Sequence, residues 1–496
     1  MTGRLKKIMW DQLFRLSSDR KLGLQRQLRG VVVSAILDDK IPLSTPLPSS
    51  RELARQLGIA RNTVVLAYQQ LIDEGYLLSR ERSGYFVDPS MLTGRVGTSQ
   101  HTGTQITHQP DLKRHLKCRI TQQRNIVKSP DWERFPYPFI YGQSDPKLFP
   151  IADWRECCKQ SLSVAGIQHA APDHFDADDP QLVEQIQRRV LPRRGVWADK
   201  EEILITMGAQ QALYLLSELL LTPDTRIGIE EPGYVDARNI FSLHTNRLIP
   251  LPVDQHGLIL GPELEHCHYL YVTPSHQYPT TVTMPVERRK ILLNKAVDND
   301  MLLIEDDYES EINFEGNPSP ALKSLDKNNR VIYIGSLSKT LSPGLRLGYM
   351  VGPAELIREA RALRRLMIRH PPSNNQRAVA LFLAIGHFDS LLHRLNLSYQ
   401  SRWQAMGDAL DRFLPDASSI PTFGGTAYWV KGPQELDARE LQQQASAQGI
   451  LIEPGDIYFM KEPAPTNFFR LGYSSIATEK ITEGIRRLAE LIHQSA

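Results

Sequence analysis

Cysteine is scarce in this chain of 496 residues: Cys118, Cys157, Cys158 and Cys267 are the only four, and none forms a Cys-x-x-Cys pair. This pattern predicts neither a disulfide framework nor a metal site. No run of 18 apolar residues occurs, so no membrane span is expected. The basic N-terminus does not predict a signal peptide, because residues 10–12 and later charges interrupt any apolar core. We therefore expect a cytoplasmic protein.

Net charge is also small, at +2, but this value conceals an uneven distribution. Residues 1–90 hold 14 Lys+Arg against 9 Asp+Glu, and residues 91–138 hold 8 against 3. The remainder holds 36 against 44. A basic front end on an acidic body is typical of a DNA-binding module attached to a domain of another kind.

Helical periodicity dominates the first 75 residues. Apolar side chains recur at helical spacing over residues 24–37, which predicts an amphipathic helix. Ser49 or Ser50 is a suitable N-cap for a short helix over residues 51–57. After a turn at Gly58, a second helix is predicted over residues 60–74. Together they form a helix-turn-helix, whose second helix would enter the major groove of DNA.

Two short strands, residues 76–79 and 84–87, are predicted to follow and to flank a basic tip, as in a winged helix. The stretch from Leu47-Pro48-Ser49-Ser50-Arg51-Glu52-Leu53-Ala54 to Gly84-Tyr85-Phe86-Val87 resembles the winged helix of GntR-family transcription regulators. It departs from them in having residues 43–46, Leu-Ser-Thr-Pro, where the family usually has a Pro-Gly turn. The resemblance implies that the DNA-facing residues are Arg51, Arg61, Asn62, Thr63 and Gly84.

Composition changes sharply after the wing. Residues 93–109 are rich in Gly, Ser, Thr, Gln and His, which predicts a flexible linker. Residues 113–128 are basic and weakly periodic, which fits either a short helix or a linker that adds non-specific DNA affinity. We predict a DNA-binding domain over residues 1–90, a basic linker over 91–138 and an effector domain over 139–496.

A lysine stands in a chemically suggestive loop near residue 340. The apolar run 331–334 predicts a buried strand that delivers Lys339 to a loop at its end. A lysine amine forms a Schiff base with the aldehyde of pyridoxal phosphate (PLP). The phosphate of PLP needs hydroxyl and cationic donors nearby, which Ser336, Ser338 and Arg346 can supply.

Four other strand ends carry compatible groups. The predicted strand 203–206 leads into a helix whose free N–H groups suit a phosphate. Tyr234 follows strand 227–230 and can stack on a pyridine ring. Near the C-terminus, Arg470 offers a guanidinium fork for a carboxylate. Asp306 follows strand 301–304, and its carboxylate can keep the pyridine nitrogen protonated. Tyr308, two residues on, can bond the phenolic oxygen of the ring.

In this order, the five segments resemble the fold-type I PLP enzymes of the aspartate aminotransferase superfamily. The resemblance implies an α/β domain with a mixed sheet between helices, and PLP as cofactor. It also implies that Lys339 forms the Schiff base, Asp306 pairs with the pyridine nitrogen and Tyr308 with the phenolic oxygen. Tyr234 would stack on the ring, and Arg470 would bind the carboxylate of an amino-acid ligand. The phosphate would be held by Ala209, Gln210, Ser336, Ser338 and Arg346.

A GntR-type winged helix joined to such a domain resembles the MocR subfamily of bacterial regulators. Two segments, residues 305–311 and 273–279, are close to that subfamily's versions of the superfamily motifs. True aminotransferases usually have Asn-Pro-x-Gly where this chain has Tyr278-Pro279-Thr280-Thr281. The asparagine that bonds the phenolic oxygen is therefore missing, which suits a sensor better than an enzyme.

Two functions remain open from the sequence. In the first, the chain is a PLP-dependent regulator in which a small amine or amino acid forms an external aldimine in place of Lys339. In the second, it is a working aminotransferase with an auxiliary DNA-binding domain; we favour the regulator. The resemblance further implies a head-to-tail homodimer on double-stranded operator DNA. GABA, taurine, a diaminobutyrate derivative, a D-alanine dipeptide and PLP itself all stay open as effectors, and Asp236 is considered either a reader of a second ammonium or a structural helix-start residue.

Overall fold

The computed structural model describes residues 10–17, 22–92, 110–309, 311–314, 319–415, 417–419 and 424–495. The chain divides into two compact units, residues 1–115 and 116–496. The predicted flexible linker, residues 93–109, lies outside the described residues.

The N-terminal unit contains the predicted helix-turn-helix. The first amphipathic helix is confirmed over Leu24–Leu37, and the other two run over Ser50–Leu57 and Arg61–Asp73. Ser49 caps the shorter of these, because its hydroxyl accepts a hydrogen bond from the backbone N–H of Glu52 at 3.2 Å. The turn between them needs Gly58, whose φ of +64° lies in the left-handed region. A short helix over Trp10–Leu13 packs on the same core.

A two-stranded antiparallel wing completes this unit. Its strands are Leu77–Arg80 and Gly84–Val87. The backbone N–H of Leu47 bonds the carbonyl of Tyr85 at 2.8 Å, so the chain before the second helix is fixed to the wing. The hydroxyl of the buried Tyr68 donates to the Pro48 carbonyl at 3.0 Å and ties the third helix to the same chain segment. The core is therefore shared by the helices and the wing.

The second unit is built on an eight-stranded mixed sheet. Five neighbouring strands run parallel: Val331–Ser336, Leu302–Asp307, Tyr269–Val272, Ile227–Glu231 and Leu248–Asp254. The strand Gly348–Val351 lies next to Val331–Ser336 and pairs with it antiparallel. On its other side, Gly348–Val351 pairs antiparallel with the edge strand Ile203–Thr206. The strand Gly257–Leu258 closes the other edge. Because the carboxyl ends of parallel strands meet at one edge, the loops after them converge there.

Helices cover the sheet, and a smaller sheet follows toward the C-terminus. Buried apolar side chains from helices and strands form the cores of this unit. The helices of the unit are Ile151–Ser161, Val164–Ala170, Pro180–Gln185, Ala209–Leu220, Val235–Phe241, Val286–Asp298, Leu322–Leu325, Ala354–Ile368, Ser373–Ala384, His387–Phe413, Ala438–Ala447 and Thr478–Ser495. The remaining strands are Tyr137–Pro138, Ser418–Ser419, Ala427–Lys431, Ile450–Leu451, Glu453–Pro454 and Phe468–Gly472.

Within the described ranges, no single helix has the length and apolar character needed to cross a bilayer. One pair bent by 76°, Ser373–Ala384 with His387–Phe413, meets the length and composition requirement jointly. Several side chains of this pair, among them Val379, Phe382 and Leu391, are buried in the core of the second unit.

Candidate cofactor site and DNA-binding surface

Lys339 lies three residues beyond the strand Val331–Ser336, at the edge where the parallel strands end. Its Nζ donates a hydrogen bond to the Tyr141 hydroxyl at 3.0 Å and lies 4.2 Å from the centre of that ring. Burial lowers the pKa of the Lys339 amine to about 8, against a weaker raising effect of Glu309. Since the neutral amine is the nucleophile, this environment prepares Lys339 to form a Schiff base.

Asp306 is nearly buried on the neighbouring strand, and only half of its carboxylate is satisfied. Its Oδ2 accepts a hydrogen bond from the Tyr271 hydroxyl at 2.9 Å, whereas Oδ1 has no partner in the described part of the chain. Burial raises the pKa of Asp306 to about 6, although the Tyr271 hydrogen bond and the Lys339 charge lower it. The buried hydroxyl of Tyr308 also has no partner there. An orphaned acceptor and an orphaned phenol fit a pyridinium nitrogen and a phenolic oxygen.

The start of the helix Ala209–Leu220 has the features expected of a phosphate cradle. Gly208 precedes it with φ +78°, and its N-cap position offers no side-chain hydrogen bond to the helix. A Cβ at Gly208 would lie 3.1 Å from an Arg346 guanidinium nitrogen, so arginine and helix start approach each other closely. Arg346 donates to the Gln210 amide oxygen at 3.2 Å, and both side chains are exposed. Free N–H groups, an arginine and an amide therefore face one region.

The two serines of the Lys339 loop differ. The Ser336 hydroxyl accepts from the backbone N–H of Lys339 at 3.4 Å, so its own hydrogen is available. The Ser338 hydroxyl donates to the Leu347 carbonyl at 3.0 Å and accepts from the Leu347 N–H at 2.7 Å. Ser338 therefore holds the loop closed, and phosphate binding by Ser338 stays a prediction that requires this donation to be given up.

Tyr234 lies at the start of the helix Val235–Phe241, with its ring partly buried. Its hydroxyl donates to Asp236 at 3.1 Å, and the Gln210 amide donates to the same carboxylate oxygen at 2.6 Å. The Tyr234 ring meets the Tyr278 ring edge-on at 5.0 Å. Asp236 thus joins the aromatic residue to the phosphate cradle, which agrees with a structural role for it.

Arg470 is fully buried, at 0% exposure, on the strand Phe468–Gly472. None of its three guanidinium nitrogens has a hydrogen-bond partner among the described residues. The guanidinium carbon lies 3.6 Å from the Tyr141 ring centre and 4.4 Å from that of Tyr278. Cation–π contacts compensate only part of the cost of burying this charge. The arrangement is suited to an anionic group of a ligand.

Sequence reasoning missed two tyrosines that organise this site. Tyr271 bonds Asp306, and Tyr141 contacts both Lys339 and Arg470. A signal for Tyr271 existed, because a tyrosine near the end of an otherwise apolar buried strand needs a polar partner. No local signal marks Tyr141, which reaches the site only through the fold.

Two of the basic residues before residue 129 are engaged within the second unit, whereas those over residues 113–119 are exposed, so added DNA affinity from this segment stays a prediction. Arg124 forms ion pairs with Asp456 at 3.0 Å and Glu462 at 2.5 Å. Lys128 donates to the Tyr141 carbonyl at 2.5 Å. Where a helix was considered, the segment has only short 3₁₀ turns, over Leu112–Arg114 and Ile120–Gln122.

The predicted DNA-facing residues lie on the surface of the N-terminal unit. Arg61 and Asn62 are exposed in the first turn of the helix Arg61–Asp73, with Thr63 half-buried beside them. Arg51 is exposed at the start of the preceding helix. Gly84 begins the second wing strand with φ +103°, a conformation that side chains rarely adopt. Their individual contacts with DNA stay predictions.

Among the described residues, no group of three or more His, Cys, Asp or Glu side chains could hold a metal ion. The groups present at the site, a lysine amine, a buried carboxylate, phenols and a helix start, fit an organic, phosphate-bearing cofactor.

Comparison with known proteins identifies both units. The family described as "Aminotransferase class I and II" matches residues 141–488, and "Bacterial regulatory proteins, gntR family" matches residues 24–87. The chain is 40% identical over 469 residues to the HTH-type transcriptional regulator TauR of Rhodobacter capsulatus, covering 95% of this chain and 96% of that protein. It is 31% identical over 478 residues to the probable rhizopine catabolism regulatory protein MocR of Rhizobium meliloti, covering 95% and 94%.

Solved structures match the second unit. Kynurenine aminotransferase of Pyrococcus horikoshii aligns with a TM-score of 0.70 and 28% identity, covering 77% of this chain and 98% of that one. The α-aminoadipate aminotransferase LysN of Thermus thermophilus, solved with N-(5'-phosphopyridoxyl)-L-leucine, gives a TM-score of 0.70 and 28% identity, covering 78% and 99%.

Fold and site together define a winged helix-turn-helix DNA-binding domain fused to a fold-type I aminotransferase-like domain, whose cofactor is PLP. The chain belongs to the GntR family of bacterial transcription regulators, and within it to the MocR type.

Proposed function

We propose that this regulator senses a small molecule that carries both a primary amine and an acidic group. The amine would replace that of Lys339 on the aldehyde carbon of PLP. The effector nitrogen would form its bond to that carbon as the Lys339 nitrogen leaves and takes up the two protons that the effector amine gives up, so no oxidant or reductant is needed. Lys339, released as a free amine, would then change its contacts in the pocket. The free energy available to alter DNA binding is the difference in effector affinity between the two conformations, and no more.

The observation that carries this proposal is Arg470, whose guanidinium has no hydrogen-bond partner in the part of the chain that the structure describes. A buried charge without a partner is costly, on the order of several kcal/mol, and is retained where a ligand supplies the counter-charge. Arg470 and Lys339 both contact the ring of Tyr141, at 3.6 and 4.2 Å from its centre. One small molecule can therefore meet both, with its amine at Lys339 and its acid group at Arg470.

The test is a titration of the PLP-loaded protein with taurine, 4-aminobutanoate, 2,4-diaminobutanoate and propylamine. Schiff-base absorbance reports amine exchange, and fluorescence anisotropy of labelled operator DNA reports regulation. We expect at least one acid-bearing amine to change both signals at concentrations where propylamine changes neither. If propylamine acts as well as the acids, Arg470 does not select the effector.

Catalysis is the second candidate function. Transamination is compatible with the presence of Lys339, Asp306 and Tyr308. An aromatic-amino-acid aminotransferase of Thermococcus litoralis is also 29% identical to this chain over 367 residues, covering 71% of this chain and 87% of that protein. Against it, Tyr278 occupies the place of the asparagine typical of aminotransferases, and it is packed among tyrosines instead. Steady-state transamination with a panel of amino acids and 2-oxo acids distinguishes the two. Sustained turnover would favour the enzyme.

We further propose that the regulator acts in the cytoplasm as a head-to-tail homodimer bound to two operator half-sites. Dimeric regulators match the symmetry of such operators. Light scattering at micromolar concentration should give about twice the 56.3 kDa chain mass. A monomer under those conditions contradicts this assembly.

A further inference from the structure

The segment of residues 120–128 is fastened to the surface of the second unit beside the cofactor site. The Gln123 side-chain amide donates to the Asn239 carbonyl and to the Ser242 hydroxyl, each at 3.1 Å. Asn239 donates in return to the Arg124 carbonyl at 2.9 Å. The Arg124 guanidinium pairs with Asp456 at 3.0 Å. These contacts define a strap, residues 120–128, that runs toward the pocket.

Lys128, at the end of the strap, reaches the pocket itself. Its Nζ donates to the Tyr141 carbonyl at 2.5 Å and lies 5.5 Å from the Tyr141 ring centre. A Cβ built on Gly142 would lie 2.9 Å from the Lys128 Nζ and 3.6 Å from the Lys339 Nζ. The two amines therefore approach one point beside Gly142. Lys128 is exposed as a whole residue, but its amine lies beside that of Lys339.

Three cations thus surround one tyrosine ring: Lys128, Lys339 and Arg470. Among the described residues, no carboxylate oxygen lies within ion-pair distance of Lys128 or of Arg470. Burial lowers the pKa of the Lys128 amine, and the charge of Arg470 lowers it further, while Glu453 and more distant carboxylates oppose the shift.

Three carboxylates face this group, and each accepts a hydrogen bond from a neutral donor. Glu453 accepts from the Tyr141 N–H at 3.2 Å, and Asp236 is bonded to Tyr234. Glu309 is engaged through one oxygen by Thr426 at 2.8 Å. Although these neutral donors leave the carboxylates charged, none of the three forms an ion pair with Lys128 or Arg470 among the described residues. The Arg470 guanidinium therefore stays open to a direct anionic partner.

We propose that Lys128 is a second anion-binding residue of the effector site, which holds the effector's acid group together with Arg470. This inference rests on the proposed effector-sensing function and assigns specificity to a residue of the strap. Arg470 offers a planar fork and Lys128 a point charge with rotatable donors, so together they can bind an acid group from two directions. Binding would also hold the strap in place, because Lys128 and the anchored residues belong to the same short segment.

The experiment compares Lys128→Met, Lys128→Arg and Lys117→Met in the full-length, PLP-loaded protein. Lys117 is exposed three residues before the strap and makes a matched control. Each variant is titrated with the acid-bearing amine that acts on the unmodified protein, and with propylamine. Loss of one charge-assisted contact should weaken acid-bearing amines about 10- to 100-fold in Lys128→Met. The affinity of Lys128→Met for propylamine should differ from that of the unmodified protein by less than about twofold. Lys128→Arg should recover part of the loss, and Lys117→Met should behave as unmodified.

Hydrogen exchange over residues 120–128 gives a second readout that does not depend on Schiff-base absorbance. The acid-bearing amine should slow exchange in the unmodified protein and in Lys117→Met, but not in Lys128→Met. Equal weakening of both amines in Lys128→Met would show that Lys128 only supports Tyr141, and no weakening at all would also overturn the proposal. Failure of the unmodified protein to respond to any acid-bearing amine would instead contradict the proposed function.

Discussion

The two units place their predicted functional residues in opposite environments. In the N-terminal unit, Arg51, Arg61 and Asn62 lie on the surface, within a dozen residues of one another. In the second unit, Lys339, Asp306 and Arg470 come from three strands or their ends, and each is partly or wholly buried. DNA supplies its own large, charged surface, whereas a small ligand must be surrounded. Exposed residues can therefore be read from a local motif, but a buried pocket depends on how distant segments pair.

The strongest contrast is expected at Lys339. Replacing Lys339 with alanine should abolish the Schiff-base absorption band, because it removes the amine that approaches the carboxyl edge of the sheet. Operator affinity of the cofactor-free protein should not change, since the residues predicted to face DNA lie in the other unit. Absorbance and anisotropy measure the two. Lys327→Ala, at an exposed site, is the control. A band that persists in Lys339→Ala would show that another lysine, such as Lys128, takes the aldehyde.

The second-largest effect is expected at Asp306, in the buried site of the second unit. Asp306→Asn keeps the shape of the side chain and removes the charge that is predicted to face the pyridine nitrogen. Leaving a buried cation without its partner costs about 3–5 kcal/mol, which corresponds to a loss of PLP affinity of about 100-fold or more. Equilibrium dialysis measures it, with Asp298→Asn at an exposed helix end as control. Unchanged affinity would mean that Asp306 does not face the pyridine.

Sequence patterns predicted the N-terminal unit almost to the residue. The helix Leu24–Leu37 and the strand Gly84–Val87 have the expected bounds, and Ser49 is the cap. These features depend on local periodicity and on capping, which the sequence contains directly.

The pocket was predicted in part. Strand ends carrying Asp306 and Lys339 were visible as motifs, because parallel strands bring their ends together. Tyr271 was not, since its bond to Asp306 depends on the register of Tyr269–Val272 against Leu302–Asp307. Tyr141 and Lys128 were missed for a stronger reason. They lie about 200 residues from Lys339 in sequence, and nothing local distinguishes Lys128 from the other charges of the basic segment.

DNA binding by the N-terminal unit should respond to single substitutions in two distinguishable ways. Arg61→Ala, at the start of the recognition helix, should cost about 1–3 kcal/mol on the specific operator and little on random DNA. Arg51→Ala should weaken both alike and reduce the salt dependence by about one phosphate contact. Anisotropy titrations at several salt concentrations measure both. Neither change should alter PLP absorbance. If Arg61→Ala kept specific operator binding while a substitution within residues 113–128 abolished it, the helix-turn-helix would not be the DNA-binding element.

The smallest effect concerns pH, and it separates a buried amine from an exposed one. Only the neutral amine of Lys339 attacks the aldehyde, and burial lowers its pKa to about 8. The rate at which the cofactor-free protein takes up PLP should therefore rise up to about tenfold per pH unit below 8 and become nearly constant above it. An exposed lysine, with its usual pKa near 10.4, would continue to gain throughout that range. Stopped-flow absorbance between pH 6.5 and 9.5, about 1.5 pH units on each side of this pKa, measures how the rate of PLP uptake depends on pH. A rate that still increases steeply at pH 9 would show that Lys339 is not desolvated before the cofactor binds.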